Sequence, residues 1–215
     1  MPDIEPPLAD DGPDGREPGL KSLRWLLWLL VVVLLALVAA AKFGGGAGGP
    51  AAVGEGQRFG GPFSLTAPDG SAVTDRTLAG KPYAIFFGFT RCPDVCPTSL
   101  ARMARLRKQL GAQGMKFAIV FVSVDPGHDK PADLGAYVAL FGTPILGLTG
   151  SDADIARIKQ GFGVFSQKVP TGGGDYTIDH TATIFLMTGK GELAGTIDHD
   201  ESDAAALAKL RRLIG

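Results

Sequence analysis

Two cysteines separated by three residues are the part of the sequence best suited to chemistry. They are the chain's only cysteines and lie in the segment Cys92-Pro93-Asp94-Val95-Cys96-Pro97. Pro97 is expected in the first turn of a helix, where its missing N–H would have no partner, so Cys96 falls at a helix boundary. The amide dipoles of a helix N-terminus stabilise a thiolate, the nucleophilic and metal-binding form of cysteine. The pair therefore predicts metal binding or thiol–disulfide exchange.

A third candidate ligand is His180, in the segment Ile178-Asp179-His180-Thr181 directly before a predicted strand. Two thiolates and one imidazole form a soft, low-coordinate set that suits copper, whereas structural zinc normally takes four protein ligands. His180 follows Cys96 by 84 positions, so only the fold can bring them together. The other histidines, His128 and His199, are expected as solvated loop residues, and each stays open as a transient ligand.

Other interpretations of these residues stay open. The cysteines could be two small buried hydrophobic residues or a permanent structural disulfide. A single histidine at a strand start is ordinarily just hydrogen-bonded. With only 2 cysteines, the chain is neither a disulfide-stapled mini-protein nor a four-thiolate zinc protein. The usual oxidoreductase pair has two intervening residues, so the spacing of three favours metal.

The elements that would position these side chains alternate between strands and helices. Tyr83 to Phe89 and Lys116 to Val124 are apolar runs typical of buried central strands. Pro97 to Leu110 carries an apolar stripe and predicts an amphipathic helix that follows the cysteines. The remaining predicted elements are a hairpin at 63–66 and 72–74, helices at 131–141 and 151–160, a hairpin at 181–187 and 192–197, and a closing helix at 203–214. This order predicts an α/β fold, a thioredoxin-like sandwich with an added N-terminal β-hairpin.

The N-terminal region predicts a membrane anchor. The run Trp25 to Ala41 is 17 apolar residues long, with Lys21 and Arg24 before it and Lys42 after it. We therefore expect a single transmembrane helix at 23–42 preceding the domain. The basic pair favours an N-terminus inside and a domain on the periplasmic side of a bacterial cytoplasmic (inner) membrane. A cleaved signal peptide is the competing interpretation.

Composition sets the remaining boundaries. Residues 1–20 are rich in proline and acidic residues and predict a disordered tail, 43–57 predict a glycine-rich linker, and 58–215 predict the folded domain. The formal net charge is -1. Since no basic stripe is present, a nucleic-acid partner is not expected.

Four segments resemble the Sco/SenC family of membrane-anchored copper proteins. They are Phe87-Gly88-Phe89-Thr90-Arg91-Cys92-Pro93-Asp94-Val95-Cys96-Pro97-Thr98, Val122-Ser123-Val124-Asp125-Pro126, Gly147-Leu148-Thr149-Gly150 and Asp179-His180-Thr181. The resemblance runs from about 59 to 213, with a departure at Met187-Thr188, where an Asp-Pro pair is common. It implies a thioredoxin-like domain in which Cys92, Cys96 and His180 bind one copper per chain, as Cu(I) and/or Cu(II).

The resemblance also implies a function and partners. The preferred hypothesis is a copper chaperone that delivers copper to the dinuclear copper centre in subunit II of cytochrome c oxidase, with another copper chaperone as a candidate donor. The alternative is a thiol-disulfide oxidoreductase in which Cys92 and Cys96 are redox-active and reduce the cysteines of that oxidase site. A peroxidase is a distant third hypothesis.

Charged residues near these motifs have two interpretations each. Asp179 either orients His180 or is solvated, and Asp125 is expected to fix its own loop by turn hydrogen bonds. Four basic residues are either solvated or face an acidic acceptor surface: Arg91, Arg102, Arg105 and Lys108.

Overall fold

The structure, a computed structural model, describes residues 20–43 and 59–215. The chain divides into two compact units, Met1–Ala51 and Ala52–Gly215. The predicted tail at 1–20 and linker at 43–57 lie outside the described residues, except for Leu20 and Phe43.

In the first unit the described segment is one helix, α1 (Leu20–Phe43). Within the described ranges, no helix combines the length and apolar character that crossing a membrane requires. The prediction of a single transmembrane helix at 23–42, and with it the inner-membrane, single-pass localisation, is therefore wrong. The apolar run of 17 residues extends about 25 Å as a helix, which is less than the roughly 30 Å of a bilayer's hydrocarbon core.

The described part of the second unit contains nine strands and four α-helices. The strands are β1 (Ser64–Thr66), β2 (Ala72–Thr74), β3 (Tyr83–Gly88), β4 (Ala118–Ser123), β5 (Leu146–Leu148), β6 (Ser166–Gly172), β7 (Asp175–His180), β8 (Ile184–Met187) and β9 (Leu193–Ile197). The helices are α2 (Val95–Gln109), α3 (Pro131–Ala139), α4 (Asp152–Phe162) and α5 (Asp203–Ile214), and a 3-10 helix (Gly111–Lys116) follows α2.

Five of the strands form the central sheet, in the order β5-β4-β3-β8-β9. Strands β3, β4 and β5 run parallel to one another. On the other side of β3, β8 pairs antiparallel with β3, and β9 pairs antiparallel with β8. Every residue of β3 is buried, as its apolar run predicts for a strand covered on both faces. This mixed α/β arrangement fits the predicted thioredoxin-like fold. The carboxyl ends of β3 and β4 lie side by side, with Gly88 opposite Ser123, and the cysteine loop leaves from this edge.

Two hairpins lie outside the central sheet. The predicted N-terminal hairpin is present as β1 and β2. The second hairpin, β6 and β7, was not predicted, and it forms a separate two-stranded sheet. Its turn uses Gly172, Gly173 and Gly174, all with positive φ, a backbone conformation that glycine adopts without steric cost. This hairpin determines where His180 lies, because His180 is the last residue of β7.

Candidate metal site

The cysteine loop joins β3 to α2 and places both sulfurs at the start of the helix. Helix α2 begins at Val95, two residues before the predicted boundary, so Cys96 and Pro97 both lie in its first turn. Amides of the first turn have no partner within the helix, and Pro97 therefore fits there. The Cys96 N–H donates to the Cys92 Sγ atom over 3.4 Å. The prediction of a cysteine at a helix N-terminus is confirmed.

The fold brings His180 to these cysteines. Its Nε2 atom lies 3.3 Å from the Cys96 Sγ atom. One ligand atom from each of Cys92, Cys96 and His180 can be chosen so that all three lie within 4.8 Å of one another. Both cysteines are free thiols, and Cys96 is fully buried while Cys92 is partly exposed. The group is thus closed on the Cys96 side and accessible on the Cys92 side.

The imidazole of His180 is oriented by its neighbours. Its Nδ1 atom lies 3.0 Å from the Thr181 carbonyl oxygen. Since a carbonyl only accepts, this contact is a hydrogen bond when Nδ1 carries a proton, and it turns the Nε2 side of the ring toward the sulfurs. Phe86 and Phe89 contact the ring in edge arrangements, with centroids 6.0 and 5.9 Å away. The nitrogen that could bind a metal therefore faces the cysteines, and packing against Phe86 and Phe89 holds the ring.

The two thiols differ strongly in acidity. The hydrogen bond with Cys96 is the largest cause that lowers the pKa of Cys92, to about 4, and the His180 side chain and backbone N–H groups lower it further against the effect of burial. The pKa of Cys96 is raised, first by its hydrogen bond with Cys92 and then by burial. At neutral pH the pair therefore holds one thiolate, on Cys92, and one proton, on Cys96.

Glycine at position 88 leaves room for the Cys96 sulfur. A Cβ atom built on Gly88 would lie 2.5 Å from the Cys96 Sγ atom and 2.9 Å from the Phe121 ring. Such contacts are well inside van der Waals distance, so any side chain here would displace the sulfur or the ring. The absence of a side chain at this position is a condition for the observed geometry.

Asp129 fixes the entry to the cysteine loop, and the sequence analysis did not single it out. Its carboxyl group is almost fully buried, with 1% exposure. It accepts hydrogen bonds from the Thr90 N–H at 2.9 Å, the Thr90 hydroxyl at 2.6 Å and the Ser123 hydroxyl at 2.6 Å. Thr90 stands two residues before Cys92, so these bonds attach the cysteine loop to the end of β4.

Asp125 makes the predicted turn hydrogen bonds through its backbone, because its carbonyl oxygen accepts from the N–H groups of His128 at 3.0 Å and Asp129 at 2.8 Å. Its fully buried carboxylate has a further role that was not predicted: it faces the β6–β7 hairpin, where it accepts from the Tyr176 hydroxyl and pairs with Lys168. It also pairs with Arg91, next to Cys92 in the sequence, at 3.4 Å. Nothing local in the sequence indicated these contacts, because Tyr176 follows Asp125 by 51 positions.

The remaining predicted residues lie elsewhere. His128 contacts Asp129 at 3.1 Å, and His199 is exposed in the loop after β9. Neither belongs to the Cys92, Cys96 and His180 group. Asp179 is exposed at the penultimate position of β7.

The basic residues of α2 are mainly used within the domain. Arg102 and Arg105 both pair with Asp203 at 2.9 Å, and Arg102 also binds backbone carbonyls before α5. The Arg102 side chain is only 12% exposed. The contribution of Arg102 to an acceptor-facing surface is therefore not supported, whereas Lys108 is exposed.

Comparisons with known proteins identify the family of this chain. The SCO1/SenC family model matches residues 51–215. The sequence is 38% identical over 131 residues to "Protein SCO1 homolog 1, mitochondrial" of Arabidopsis thaliana, covering 60% of this chain and 39% of that protein. The chain thus spans well under two thirds of the length of this curated relative.

Two solved structures are also similar. The structure of Bradyrhizobium japonicum ScoI with copper bound superposes with a TM-score of 0.67 at 44% identity, covering 72% of this chain and 99% of that one. BsSco, described as a member of the Sco family of cytochrome c oxidase assembly proteins with a disulfide switch, superposes with a TM-score of 0.58 at 25% identity, covering 74% and 94%.

Proposed function

Because this chain belongs to the SCO1/SenC family, we propose that it is a copper-binding chaperone for the assembly of cytochrome c oxidase. The observation that carries the proposal is the convergence of Cys92, Cys96 and His180, whose ligand atoms lie within 4.8 Å of one another. The domain proposed to do this work spans residues 58–215.

The donor set fits copper by its chemistry. Two thiolates and one imidazole favour Cu(I), and three protein ligands are fewer than structural zinc normally takes. We propose Cys92, Cys96 and His180 as the ligands of one copper per chain. Copper binding would require both thiols to be deprotonated, and since the pKa of Cys92 is lowered and that of Cys96 raised, the proton of Cys96 would be the one that the metal displaces.

The partly exposed side of the site supports transfer of the metal. Cys92 is partly exposed whereas Cys96 is fully buried, so an acceptor would approach from the Cys92 side. The acceptor we propose is the dinuclear copper centre in subunit II of cytochrome c oxidase. BsSco, which shares the fold, is named as a cytochrome c oxidase assembly protein, and B. japonicum ScoI is solved with copper bound. The proposed donor is another copper chaperone.

A second function, thiol–disulfide exchange, is favoured by the acidity of Cys92. Its thiolate would attack one sulfur of a disulfide in the oxidase copper site, forming a mixed disulfide and releasing one recipient thiolate. Cys96 would then lose its proton and attack the Cys92 sulfur, releasing the second recipient thiolate. The recipient disulfide gains two electrons, and the chain keeps a Cys92–Cys96 disulfide that an external dithiol must reduce.

One experiment separates the two functions on a purified oxidase subunit II domain. Cu(I)-loaded full-length chain is assayed for copper transfer, and metal-free reduced chain for disulfide reduction. We expect His180→Ala to lose copper transfer and to keep reduction, while Cys92→Ala loses both. His199→Ala, in an exposed loop, is the matched control. Copper transfer by His180→Ala at the wild-type rate would contradict the three-ligand proposal.

A further inference from the structure

The β6–β7 hairpin, which carries His180, is joined to the rest of the domain by few packed side chains. Among the strands that the structure describes, β6 and β7 pair only with each other, so no ladder connects them to the central sheet. Of the residues in these two strands, all of them described, Ile178 is the one that is buried. Core packing of the hairpin is thus confined to Ile178, the partly buried Tyr176 and the His180 ring beside Phe86 and Phe89, and no backbone ladder to the central sheet adds to it.

One carboxylate of the domain body, that of Asp125, contacts side chains from both strands of the hairpin. The Tyr176 hydroxyl, on β7, lies 2.9 and 2.7 Å from the two oxygens of Asp125. The Lys168 Nζ atom, on β6, lies 3.1 Å from Asp125 Oδ1. Asp125 follows the end of β4 and is fully buried. Both strands of the hairpin are thus attached to the same fixed point.

Arg91 links this point to the cysteine loop. Its guanidinium pairs with Asp125 at 3.4 Å and with Asp175, at the start of β7, at 2.8 Å. The guanidinium and the Lys168 ammonium both lie over the Tyr176 ring, 4.6 and 4.2 Å from its centroid. Arg91, which precedes Cys92, therefore contacts β7, the strand that ends in His180, as well as Asp125.

The charge of Asp125 is balanced by these contacts. Burial by itself would raise its pKa, but hydrogen bonds from Tyr176 and Lys168 and the charge of Lys168, together with Arg91, lower it below its ordinary value. A buried carboxylate keeps its charge only when it is paired and hydrogen-bonded. Removing one donor would therefore weaken the attachment of the hairpin.

We propose that Asp125 is a positioning residue, which acts through Tyr176 and Lys168 to hold the β6–β7 hairpin so that His180 stays beside Cys92 and Cys96. The inference rests on the proposed copper site and adds the means by which its third ligand is kept in place. Residues that orient a metal ligand without touching the metal typically change affinity about 10–100-fold when mutated.

The test is a double-mutant cycle in the full-length chain. Tyr176→Phe removes the hydroxyl and keeps the ring, and Cu(I) affinity is measured by competition with a chromophoric chelator. We expect about tenfold weaker binding than in wild type. In a His180→Ala background the same substitution is expected to change affinity less than about twofold, because the hydroxyl acts through the imidazole. An equal loss in both backgrounds, or no loss in either, would overturn the inference.

A second readout needs no metal. Amide hydrogen exchange of β6 and β7 is expected to accelerate in metal-free Tyr176→Phe and in Lys168→Met, with exchange of β3 and β4 unchanged. Tyr83→Phe, the same substitution at the opposite end of β3 from the cysteine loop, is the matched control and leaves both measurements unchanged. Wild-type exchange in the hairpin of both variants would also overturn the inference.

The two proposals fail in distinguishable ways. If His180→Ala alone bound Cu(I) as tightly as wild type, the proposed copper site would be wrong. If His180→Ala weakened binding while Tyr176→Phe changed neither affinity nor exchange, the site would stand and the positioning role of Asp125 would be wrong.

Discussion

The Nε2 atom of His180 lies 3.3 Å from the Sγ atom of Cys96, although 84 positions separate them in the sequence. Two structural features meet in this contact. The cysteine is fixed by the junction of β3 and α2, and the histidine by the end of β7. The proposed function requires that the cysteine loop and the end of β7 stay next to each other when copper binds.

Gly88→Ala is predicted to damage the site without changing a ligand. The added Cβ would lie 2.5 Å from the Cys96 Sγ atom, so the sulfur has to move. We expect a loss of about 1–3 kcal/mol in the free energy of unfolding, from denaturant titration, and weaker Cu(I) binding. Gly127→Ala is the matched control, because its nearest contact would be 3.9 Å away. Equal Cu(I) affinity for Gly88→Ala and wild type would show that the space beside Gly88 does not matter.

The reactivity of Cys92 is predicted to be almost independent of pH above about pH 5. Its pKa is lowered to about 4, so the thiolate is present throughout the neutral range and is lost only as the pH falls through that value. Alkylation by iodoacetamide, followed from pH 5 to 9, should give a nearly flat rate for wild type.

The matched variant for that measurement is Cys96→Ala. It removes the hydrogen bond that contributes most to the low pKa of Cys92, so the alkylation rate should rise with pH toward the ordinary thiol pKa of about 8.5. In Cys92→Ala the buried Cys96 should react slowly. A wild-type rate that increased about tenfold per pH unit between pH 6 and 8 would refute the assignment of the thiolate.

Asp129→Ala is predicted to loosen the cysteine loop. The substitution leaves the Thr90 N–H and the Thr90 and Ser123 hydroxyls without their buried acceptor. We expect a loss of at least about 2 kcal/mol in the free energy of unfolding, measured with denaturant. Asp200→Ala, at an exposed position, should stay within about 0.5 kcal/mol of wild type. Similar stability for the two variants would contradict the anchoring role of Asp129.

The central sheet and the cysteine loop can be predicted from the sequence because the residue patterns that indicate them are local. The apolar runs that become β3 and β4 are continuous, and the apolar stripe of α2 buries Leu100, Met103 and Leu106 as expected. The segment Cys92 to Pro97 carries its own helix-start signal. In each case neighbouring residues determine the structure.

The β6–β7 hairpin, which carries His180, cannot be predicted from a local pattern in the same way. Strands β6 and β7 are mostly exposed, so they lack the alternating apolar pattern of a half-buried strand. The run Gly172-Gly173-Gly174 is the turn signal that could have indicated it. The apolar pattern alone predicts His180 directly before a strand starting at 181, whereas His180 ends β7 and β8 begins at Ile184.

Long-range polar contacts were the other part that sequence reasoning could not supply. Asp125 and Tyr176 are ordinary residues in their local contexts, and their hydrogen bond joins positions 51 residues apart that only the fold brings together. The transmembrane prediction failed for a different reason, because an apolar run at the lower limit of length does not by itself decide between a membrane span and another helix.

The most direct test of the account is X-ray absorption at the copper edge of the full-length chain loaded with Cu(I). We predict one copper per chain with two sulfur ligands and one imidazole nitrogen in wild type, and loss of the imidazole contribution in His180→Ala but not in His199→Ala. Undiminished imidazole scattering in His180→Ala, or a wild-type site without imidazole, would contradict the claim that the fold assembles Cys92, Cys96 and His180 into one copper site.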